Sequence, residues 1–296
     1  MKILITGSNG MLAYALEDIL SPKHTLFGID ALDGEKYKLE KFFKIDITSM
    51  LQLSKIQDFG TLDLIIHTAA WTDVDASELD HNKTMMVNFK GTKNLVDIVR
   101  ESAVPIIFIS TDFVFDGTKK MPYIETDTPS PINTYGMSKY EGEKYVRSCL
   151  KKYAIIRTSW LFGKHGKNFV DTILKKAREE KHLKIVSDQI GSPTYTIDLA
   201  MAILKLIETG TIEKEPGEIF HAANTDQCSW HEFAGYILDT AGITDITVTP
   251  ITSKELSRPA KRPLFSVLNS DKLKNFTGYH MRPWREALCE YLKSKK

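Results

Sequence analysis

A tyrosine and a lysine four positions apart carry the clearest chemistry in the sequence. Tyr135 and Lys139 lie in the segment Tyr-Gly-Met-Ser-Lys, 24 residues beyond Thr111. If this segment is helical, the phenol and the ammonium lie about one turn apart on the same face and can act on one substrate. A free tyrosine has a pKa of about 10, and a neighbouring cation favours the phenolate. The spacing therefore predicts that Lys139 lowers the pKa of Tyr135, so that the phenol exchanges a proton with a substrate.

The Tyr-x-x-x-Lys spacing alone does not identify this pair, because it recurs elsewhere in the sequence. Tyr37 and Lys41 fall in an irregular stretch after the second predicted strand. Tyr140 and Lys144 lie five positions beyond the first pair, about 140° around the same helix, so the two helical pairs cannot face one pocket. The preceding strand, which ends near Thr111, favours the first pair.

The strand before this helix supplies a candidate hydroxyl. Residues 105–109 are apolar and lead directly into Ser110, Thr111 and Asp112. Since side chains alternate along a strand, only one of the two hydroxyls can face a bound cofactor. The spacing by itself leaves open which one it is.

The first thirty residues have the pattern of a dinucleotide-binding unit. A β-branched run over residues 2–6 is followed by Gly7, Gly10 and a helix-prone stretch from Met11 to Leu20. Glycines in this turn let a pyrophosphate approach amide groups at the positive end of the helix. Asp30 ends a second predicted strand roughly 20 residues beyond Gly10, where an acceptor for the ribose hydroxyls is expected.

Asp30 also bears on the choice of cofactor. A carboxylate at this position repels a 2′-phosphate, and the next four residues, Ala-Leu-Asp-Gly, contain no arginine that could bind one. The sequence therefore predicts that NADH is preferred or tolerated over NADPH. Lys36 and Lys38 keep NADPH open as the alternative.

Strands and helices alternate through the first half of the chain, and this alternation predicts a Rossmann-like doubly wound parallel sheet. We expect residues 1–160 to form a dinucleotide-binding domain, to which segments near 194–222 return. Residues 161–296 are expected to form mainly a smaller C-terminal α/β substrate-binding domain. Further strands are predicted at 42–47, 62–67, 153–158 and 218–222. Helices are predicted at 79–102, from about 133, and at 168–180, 196–208, 229–241 and 284–293.

Composition excludes several classes of protein. The 39 basic and 38 acidic residues leave a net charge of +1, which indicates neither nucleic-acid nor membrane binding. Cys149, Cys228 and Cys289 have no spacing typical of a disulfide framework or a zinc site, and no metal is expected. The apolar stretches are too short for a signal or a membrane span, so we expect a cytoplasmic protein. A homodimer is left open.

Taken together, these motifs resemble those of the extended short-chain dehydrogenase/reductases over nearly the whole length of the chain. Within that family the sequence is most similar to the branch that reduces sugar-nucleotide 4-ketones. The resemblance rests on several segments: Gly7-Ser-Asn-Gly10-Met-Leu, Ala69-Ala-Trp-Thr-Asp-Val-Asp75, Asn88-Phe-Lys-Gly-Thr92, Ser110-Thr-Asp-Phe-Val-Phe-Asp-Gly117, Tyr135-Gly-Met-Ser-Lys139, Arg157-Thr-Ser-Trp160, Asp188-Gln-Ile-Gly-Ser-Pro-Thr194 and Arg258-Pro-Ala260.

The resemblance implies a role for particular residues. It selects Thr111, Tyr135 and Lys139 as catalytic and Thr111, Asp112 and Trp160 as substrate-binding. The positions it implies for cofactor binding are Gly7, Asn9, Gly10, Met11, Leu12, Asp30, Asp46, Ile47, Ala69, Ala70, Trp71, Thr72, Asn88, Tyr135 and Lys139. Two residues depart from the family pattern, since Ala13 replaces a glycine and Phe113 stands where many of these reductases have tyrosine.

The reaction implied by the resemblance is reduction of the C4 ketone of a dTDP-linked 6-deoxy-4-keto sugar to dTDP-L-rhamnose, with hydride from NADH or NADPH. Tyr135 would donate the proton, and Thr111 would hydrogen-bond the carbonyl. Phe113 argues against a dehydratase, which needs an acid there. A 4-epimerase, another 4-ketoreductase and a non-catalytic regulatory subunit remain as alternatives. The arginines of the 258–263 loop suit either a phosphate clamp or a solvated loop.

Overall fold

A seven-stranded sheet is the centre of the molecule. The computed structural model describes residues 1–34, 38–59, 61–102, 104–214 and 216–295, so Lys36 and the Tyr37/Lys41 pair lie outside or partly outside the described part. In chain order the strands are β1 (Lys2–Thr6), β2 (Thr25–Asp30), β3 (Lys41–Lys44), β4 (Leu64–His67), β5 (Ile106–Thr111), β6 (Tyr153–Thr158), β7 (Leu161–Phe162), β8 (His182–Val186), β9 (Ile190–Gly191), β10 (Thr194–Tyr195), β11 (Glu218–His221), β12 (Cys228–Ser229) and β13 (Thr247–Ile251).

The helices connect these strands and cover the sheet. They are α1 (Met11–Leu20), α2 (Met50–Leu53), α3 (Val74–Leu79), α4 (His81–Met85), α5 (Thr92–Val99), α6 (Thr134–Cys149), α7 (Phe169–Glu179), α8 (Thr196–Glu208), α9 (Trp230–Ala241), α10 (Ser253–Leu256), α11 (Asp271–Thr277) and α12 (Trp284–Lys293). Short 3₁₀ segments run over Ser54–Phe59, Asp112–Val114 and Thr211–Glu213, and a π-helical segment runs over Met86–Gly91. Among the described residues, no helix is long and apolar enough to cross a bilayer.

The strand order of the sheet is β11-β6-β5-β4-β1-β2-β3, and every pairing within it is parallel. Alternate side chains of the central strands supply two separate cores. Ile3 and Ile5 face the core shared with α1 and α8, whereas Leu4 faces the core shared with α5 and α6. Parallel strands buried on both faces are typical of doubly wound folds, so the predicted fold class is confirmed.

A third apolar cluster joins α7, α9 and α12 beside the sheet. Trp284 and Tyr291 of α12 pack against Phe233 of α9 and Phe162 of β7, and all four residues are buried. The parallel pair of β8 and β13 lies in this region too. These elements form the C-terminal α/β part of the chain.

Three local features differ from the sequence predictions. The helix predicted over 79–102 is interrupted, because Asp80 leaves helical geometry to cap α4 and a π-helical segment follows. No strand is predicted between 158 and 218, but this range includes β9 and β10, which pair with distant strands. β8 and β13 were not predicted, since neither has a continuous apolar face and β13 contains Pro250.

Truncating the tryptophan at the centre of the third cluster tests the packing of the C-terminal part. Trp284 is 0% exposed and makes edge contacts with Phe233 and Tyr236. We expect Trp284→Ala to lower the free energy of unfolding by about 3 to 5 kcal/mol, measured by urea denaturation. Phe276→Ala is the matched control, because that ring is 45% exposed and its loss should cost much less. Equal losses in the two variants would contradict this assignment of the core.

Candidate active site

The predicted functional residues gather at the carboxyl edge of the central strands. β1, β4, β5 and β6 each end in a segment that the sequence singled out: the glycine turn, the loop at 69–72, Thr111 and Trp160. The ends of neighbouring parallel strands meet at one edge of the sheet, and doubly wound folds bind ligands at that edge. The fold thus brings together residues that are up to 150 positions apart in the chain.

The glycine turn is shaped by close approach to the neighbouring loop. Gly7 has a φ of +67°, and a Cβ at this position would lie 2.6 Å from the Cα of Ala69. Only glycine satisfies both conditions without strain. Helix α1 then begins after Gly10 with no side-chain cap and no acidic residue in its first turn. Its first amide groups are therefore suited to an anion such as a pyrophosphate.

Asp30 holds the far side of the same turn. Its carboxylate accepts hydrogen bonds from the backbone amides of Asn9, at 3.1 Å, and Leu32, at 3.0 Å. The side chain of Asn9 donates to the carbonyl of Leu32 at 3.0 Å. The carboxylate thus lies where a ribose acceptor is expected, and it also fixes the turn against β2.

The other predicted cofactor positions have different degrees of access. Ala69, Ala70, Trp71 and Thr72 are partly or fully exposed at the end of β4, and Met11 is partly exposed at the start of α1. Leu12 is buried in the core of α1, so its side chain serves packing. Just beyond β3, the carboxylate of Asp46 accepts a hydrogen bond from the backbone amide of Thr48 at 2.8 Å, and Ile47 is buried.

Asn88 joins the loop at the end of β4 to helix α6. Its side-chain amide donates to the carbonyl of Trp71 at 3.0 Å and to the hydroxyl of Ser138 at 2.9 Å, and its oxygen accepts from the amide of Trp71 at 2.7 Å. The residue is 0% exposed. Asn88 therefore positions the loop of Trp71, a predicted cofactor position, against α6.

The start of α6 lies unusually close to the end of β5. Asn133 caps the helix by accepting from the amide of Gly136 at 2.8 Å. A Cβ on Gly136 would lie 2.1 Å from the carbonyl oxygen of Phe113. Glycine at this position lets Tyr135 reach the segment of Thr111, and the ring of Tyr135 meets that of Phe113 edge-on at 6.0 Å.

The hydroxyl chosen by the resemblance is the one that faces this site. The Thr111 hydroxyl donates to the Asp112 carboxylate at 3.1 Å and accepts from the amide of Phe113 at 3.1 Å. Ser110 points to the opposite side of β5 and donates to Glu143. The structure thereby resolves the alternation that the sequence left open.

The net pKa shift of Tyr135 is upward, whereas Lys139 alone would shift the pKa downward. Burial raises the pKa of its hydroxyl well above the ordinary value, the nearby Asp112 raises it further, and Thr111 lowers it. Burial also lowers the pKa of Lys139 to about 7, against an opposing effect of Glu143. Desolvation of both groups therefore outweighs the lowering that the sequence predicts from Lys139, and the net shift of the Tyr135 pKa is upward. The phenol is therefore neutral at neutral pH.

Asp112 is a second unusual group in the site. Burial raises its pKa to about 7, although the hydroxyls of Ser266 and Thr111 lower it. One of its two carboxylate oxygens, Oδ2, is buried without a hydrogen-bond partner among the described residues. An unsatisfied acceptor of this kind is suited to a hydroxyl group of a ligand.

The second Tyr-x-x-x-Lys pair of α6, Tyr140 and Lys144, lacks the buried surroundings of Tyr135 and Lys139. Lys144 forms an ion pair with Glu141 at 2.7 Å and lies 5.3 Å from the centre of the Tyr140 ring. Its side chain is about half exposed. Tyr140 and Lys144 therefore form a solvated surface pair, as expected from their angular position on the helix.

Trp160 is held in a strained conformation beside the site. Its φ is +47°, which is uncommon for a bulky residue. Its indole stacks on that of Trp230 at 3.5 Å, and a Cβ on Gly191 would lie 2.5 Å from the indole. Backbone strain that packing maintains is frequent at ligand sites, which agrees with a substrate-facing tryptophan.

The arginines near residue 260 are bound to an acid. Arg258 and Arg262 donate to the carboxylate of Asp75 at 2.8 to 2.9 Å. Partial burial raises the pKa of Asp75, but the arginine hydrogen bonds outweigh it and bring the value to about 2. The Asn133 amide donates to the carbonyl of Lys261 at 2.8 Å, which brings this loop to the start of α6. Two guanidinium groups share one carboxylate, so this cluster of Arg258, Arg262 and Asp75 has a net positive charge.

Sequence reasoning missed a buried polar network behind the site. Arg157 of β6 makes a bidentate ion pair with Glu143 of α6, and Ser110 of β5 donates to the same carboxylate at 2.6 Å. His221 of β11 completes the network. The sequence feature that could have indicated this network is the position of Glu143, one helical turn beyond Lys139 on the same face of α6.

These features define an extended short-chain dehydrogenase/reductase: a doubly wound sheet with a glycine turn after β1, and a tyrosine of α6 that contacts a threonine at the end of β5 and lies one helical turn before a lysine. The chain belongs to the family described as RmlD substrate binding domain, whose model matches residues 1–296. The family and the oxidoreductase class predicted from the sequence are confirmed.

Characterised relatives span almost the whole chain. The spore coat polysaccharide biosynthesis protein SpsK of Bacillus subtilis is 36% identical over 296 residues, which is 99% of this chain and 98% of that protein. A dTDP-4-dehydrorhamnose reductase structure from Clostridium acetobutylicum is 38% identical, with a TM-score of 0.90, and the match covers 100% of this chain and 99% of that one. The Bacillus anthracis dTDP-4-dehydrorhamnose reductase in complex with NADP is 35% identical, with a TM-score of 0.89 and 99% coverage of both chains.

The close contact at Gly136 can be tested without a substrate. A methyl group there would meet the backbone of Phe113, so we expect Gly136→Ala to destabilise the fold by about 1 to 3 kcal/mol in urea denaturation. Gly235 of α9 is the matched control, because a Cβ there meets no atom within 4 Å. Gly235→Ala should stabilise the fold by about 0.5 to 1 kcal/mol. The contact would be refuted if Gly136→Ala were also neutral or stabilising.

Proposed function

We propose that this chain reduces the C4 ketone of dTDP-4-dehydro-6-deoxy-L-mannose, also called dTDP-4-dehydrorhamnose, to give dTDP-L-rhamnose. The observation that carries the proposal is the contact of the Tyr135 hydroxyl with Thr111 at the carboxyl end of β5, one helical turn before Lys139. The names of the two solved relatives support the same substrate. The name of SpsK connects the family with polysaccharide biosynthesis but not with a particular sugar.

The residues of the site suit ketone reduction. A bound nicotinamide cofactor supplies the hydride that forms the new C–H bond at C4. Tyr135 is protonated at neutral pH and donates its proton to the C4 oxygen as negative charge develops there, so that the ketone becomes an alcohol. The hydroxyl of Thr111 hydrogen-bonds the same oxygen. Lys139, in its charged form, stabilises the phenolate that Tyr135 becomes until solvent restores the proton.

The cofactor is NADH or NADPH. The turn from Gly7 to Met11 would hold the pyrophosphate, since its amides are uncapped. Asp30 would hold the adenosine ribose, and its negative charge favours NADH. A relative solved in complex with NADP supports NADPH as the alternative.

The sugar nucleotide would lie between the sheet edge and the C-terminal part. The positive charge left over at Arg258 and Arg262 suits its diphosphate. The unsatisfied oxygen of Asp112 suits a sugar hydroxyl, and Trp160 offers an apolar surface. We therefore retain the division in which residues 1–160, with segments near 194–222, bind the dinucleotide and residues 161–296 mainly bind the substrate.

The proposal predicts stoichiometric oxidation of reduced cofactor. Purified protein should oxidise NADH and NADPH in the presence of dTDP-4-dehydrorhamnose, with NADH equal or preferred, as measured by absorbance across a panel of 4-keto sugar nucleotides. Sugar conversion without net cofactor oxidation would indicate a 4-epimerase. Cofactor or sugar-nucleotide binding without turnover would indicate a regulatory subunit.

Removing the phenolic hydroxyl should abolish most of this activity. We expect Tyr135→Phe to lower kcat by about 10² to 10⁴-fold and to leave the fold intact, because the proton donor is lost. Tyr140→Phe is the matched control on the same helix and should retain activity. If Tyr135→Phe kept nearly full turnover in steady-state assays, another group would have to be the proton donor.

A further inference from the structure

The carboxylate of Glu143 lies in the interior between α6 and the sheet. It accepts three hydrogen bonds: from the Ser110 hydroxyl at 2.6 Å, from Nε of Arg157 at 2.9 Å and from Nη2 of Arg157 at 2.7 Å. Glu143 is 0% exposed and Arg157 is 1% exposed. Charges this deep must be compensated by neighbours, because water does not solvate them.

The groups around Arg157 leave Glu143 as its counter-ion. Nη1 of Arg157 lies 3.5 Å from Nε2 of His221, and Nδ1 of His221 lies 3.0 Å from the carbonyl of Tyr123. Since Nδ1 faces a carbonyl it is the donor, so Nε2 is an acceptor and the ring is neutral. Burial and the charge of Arg157 lower the pKa of His221 to about 3, which agrees with this tautomer.

Lys139 lies one helical turn before Glu143, on the same face of α6. The lysine is 2% exposed, and its Nζ lies 4.1 Å from the centre of the Phe108 ring. From β4 it faces His67, which is neutral because burial and the charge of Lys139 lower the pKa of His67 to about 3. From the start of its own helix it faces Tyr135, which is also neutral at pH 7.

Two other charged groups approach this cluster. Asp112 acts on Tyr135 from the end of β5, but its own pKa is raised to about 7, so it is only partly ionised at neutral pH. Arg157 approaches from β6 with the same sign as Lys139 and is bound to Glu143. Among the described residues, Glu143 is the anion whose charge acts on Lys139. Glu125 approaches Arg157 from the side of His221, where its carboxylate accepts from the backbone amide of His221 at 2.9 Å, and burial raises its pKa.

We propose that Glu143, fixed by Arg157 and Ser110, is a positioning residue that keeps the Lys139 ammonium charged and directed toward Tyr135. The proposal rests on the proposed function only in taking a charged lysine to be needed beside the tyrosine. The contacts of Glu143 and their effect on the charge of Lys139 do not depend on that function. Glu143 does not touch the reacting atoms and acts through Lys139.

The low pKa of Lys139 makes the stability of the folded protein depend on pH. Lys139 has a pKa of about 7 in the folded protein, below the 10.5 of an exposed lysine, so the folded state binds fewer protons between these values. Stability therefore falls as pH decreases from 10.5 toward 7 and then levels off. If the anion is removed, the pKa of Lys139 falls further and the loss of stability continues below pH 7.

The test is the pH dependence of urea unfolding for wild-type protein and Glu143→Gln, without cofactor or substrate, between pH 6 and 9. We expect the stability difference between the two proteins to widen as pH falls. Ser110→Ala is the control, because it removes one hydrogen bond and keeps the charge of Glu143. Its loss of stability relative to wild type should therefore not change with pH. A constant deficit for Glu143→Gln would overturn the proposal.

Glu143→Gln leaves the charge of Arg157 unpaired and can fail to fold. The double variant Glu143→Gln with Arg157→Met keeps the interior neutral, and the same widening toward low pH is expected in it. A deficit that does not depend on pH in this folded variant would overturn the proposal equally.

Activity supplies an independent readout. The fall of kcat at alkaline pH should move by about one pH unit toward acid in either variant, because the lysine loses its proton earlier. An unshifted alkaline limb would contradict the proposal. Absence of ketone reduction by wild-type protein would refute the proposed function alone, since the unfolding measurements do not depend on it.

Discussion

The close contact between helix α6 and the end of strand β5 is the constraint on which the site depends. Tyr135 can reach Thr111 only because Gly136 has no side chain to collide with the backbone of Phe113. Asn133 sets where the helix begins and also binds the 258–262 loop through the carbonyl of Lys261. A change in the position of this helix would therefore separate the phenol from the hydroxyl and displace the arginines together.

Desolvation determines the chemistry of the groups that this contact brings together. Burial favours the neutral forms of Tyr135, Asp112 and Lys139, and it does so more strongly than their mutual attraction opposes it. The tyrosine is consequently kept as an acid, which is the form needed to protonate a developing alkoxide. The buried ion pair of Glu143 and Arg157 is the exception, because its bidentate geometry and the hydroxyl of Ser110 satisfy both charges.

Much of the fold was readable from local patterns. The strands of the central sheet are β-branched, apolar and bounded by turn residues, and the major helices have apolar stripes, so periodicity located them within a few positions. The π-helical segment at 86–91 could not be read in this way, because the packing of Asn88 between Trp71 and Ser138 brings residues together that are 17 and 50 positions apart. β8 and β13 could not be predicted from the sequence, because they form a half-exposed parallel pair in which neither strand has a continuous apolar run.

The residue types and spacing by themselves determined the glycine turn, the helical pair of Tyr135 and Lys139, and the parallel strands whose carboxyl ends lie beside them, since each depends on local geometry. The direction of the pKa shift at Tyr135, the role of Asn88 and the pairing of Arg157 with Glu143 depended on the folded chain. These properties are set by burial and by partners distant in sequence, and the energy of a charge depends on its distance from water and from other charges. A linear pattern specifies neither of those distances.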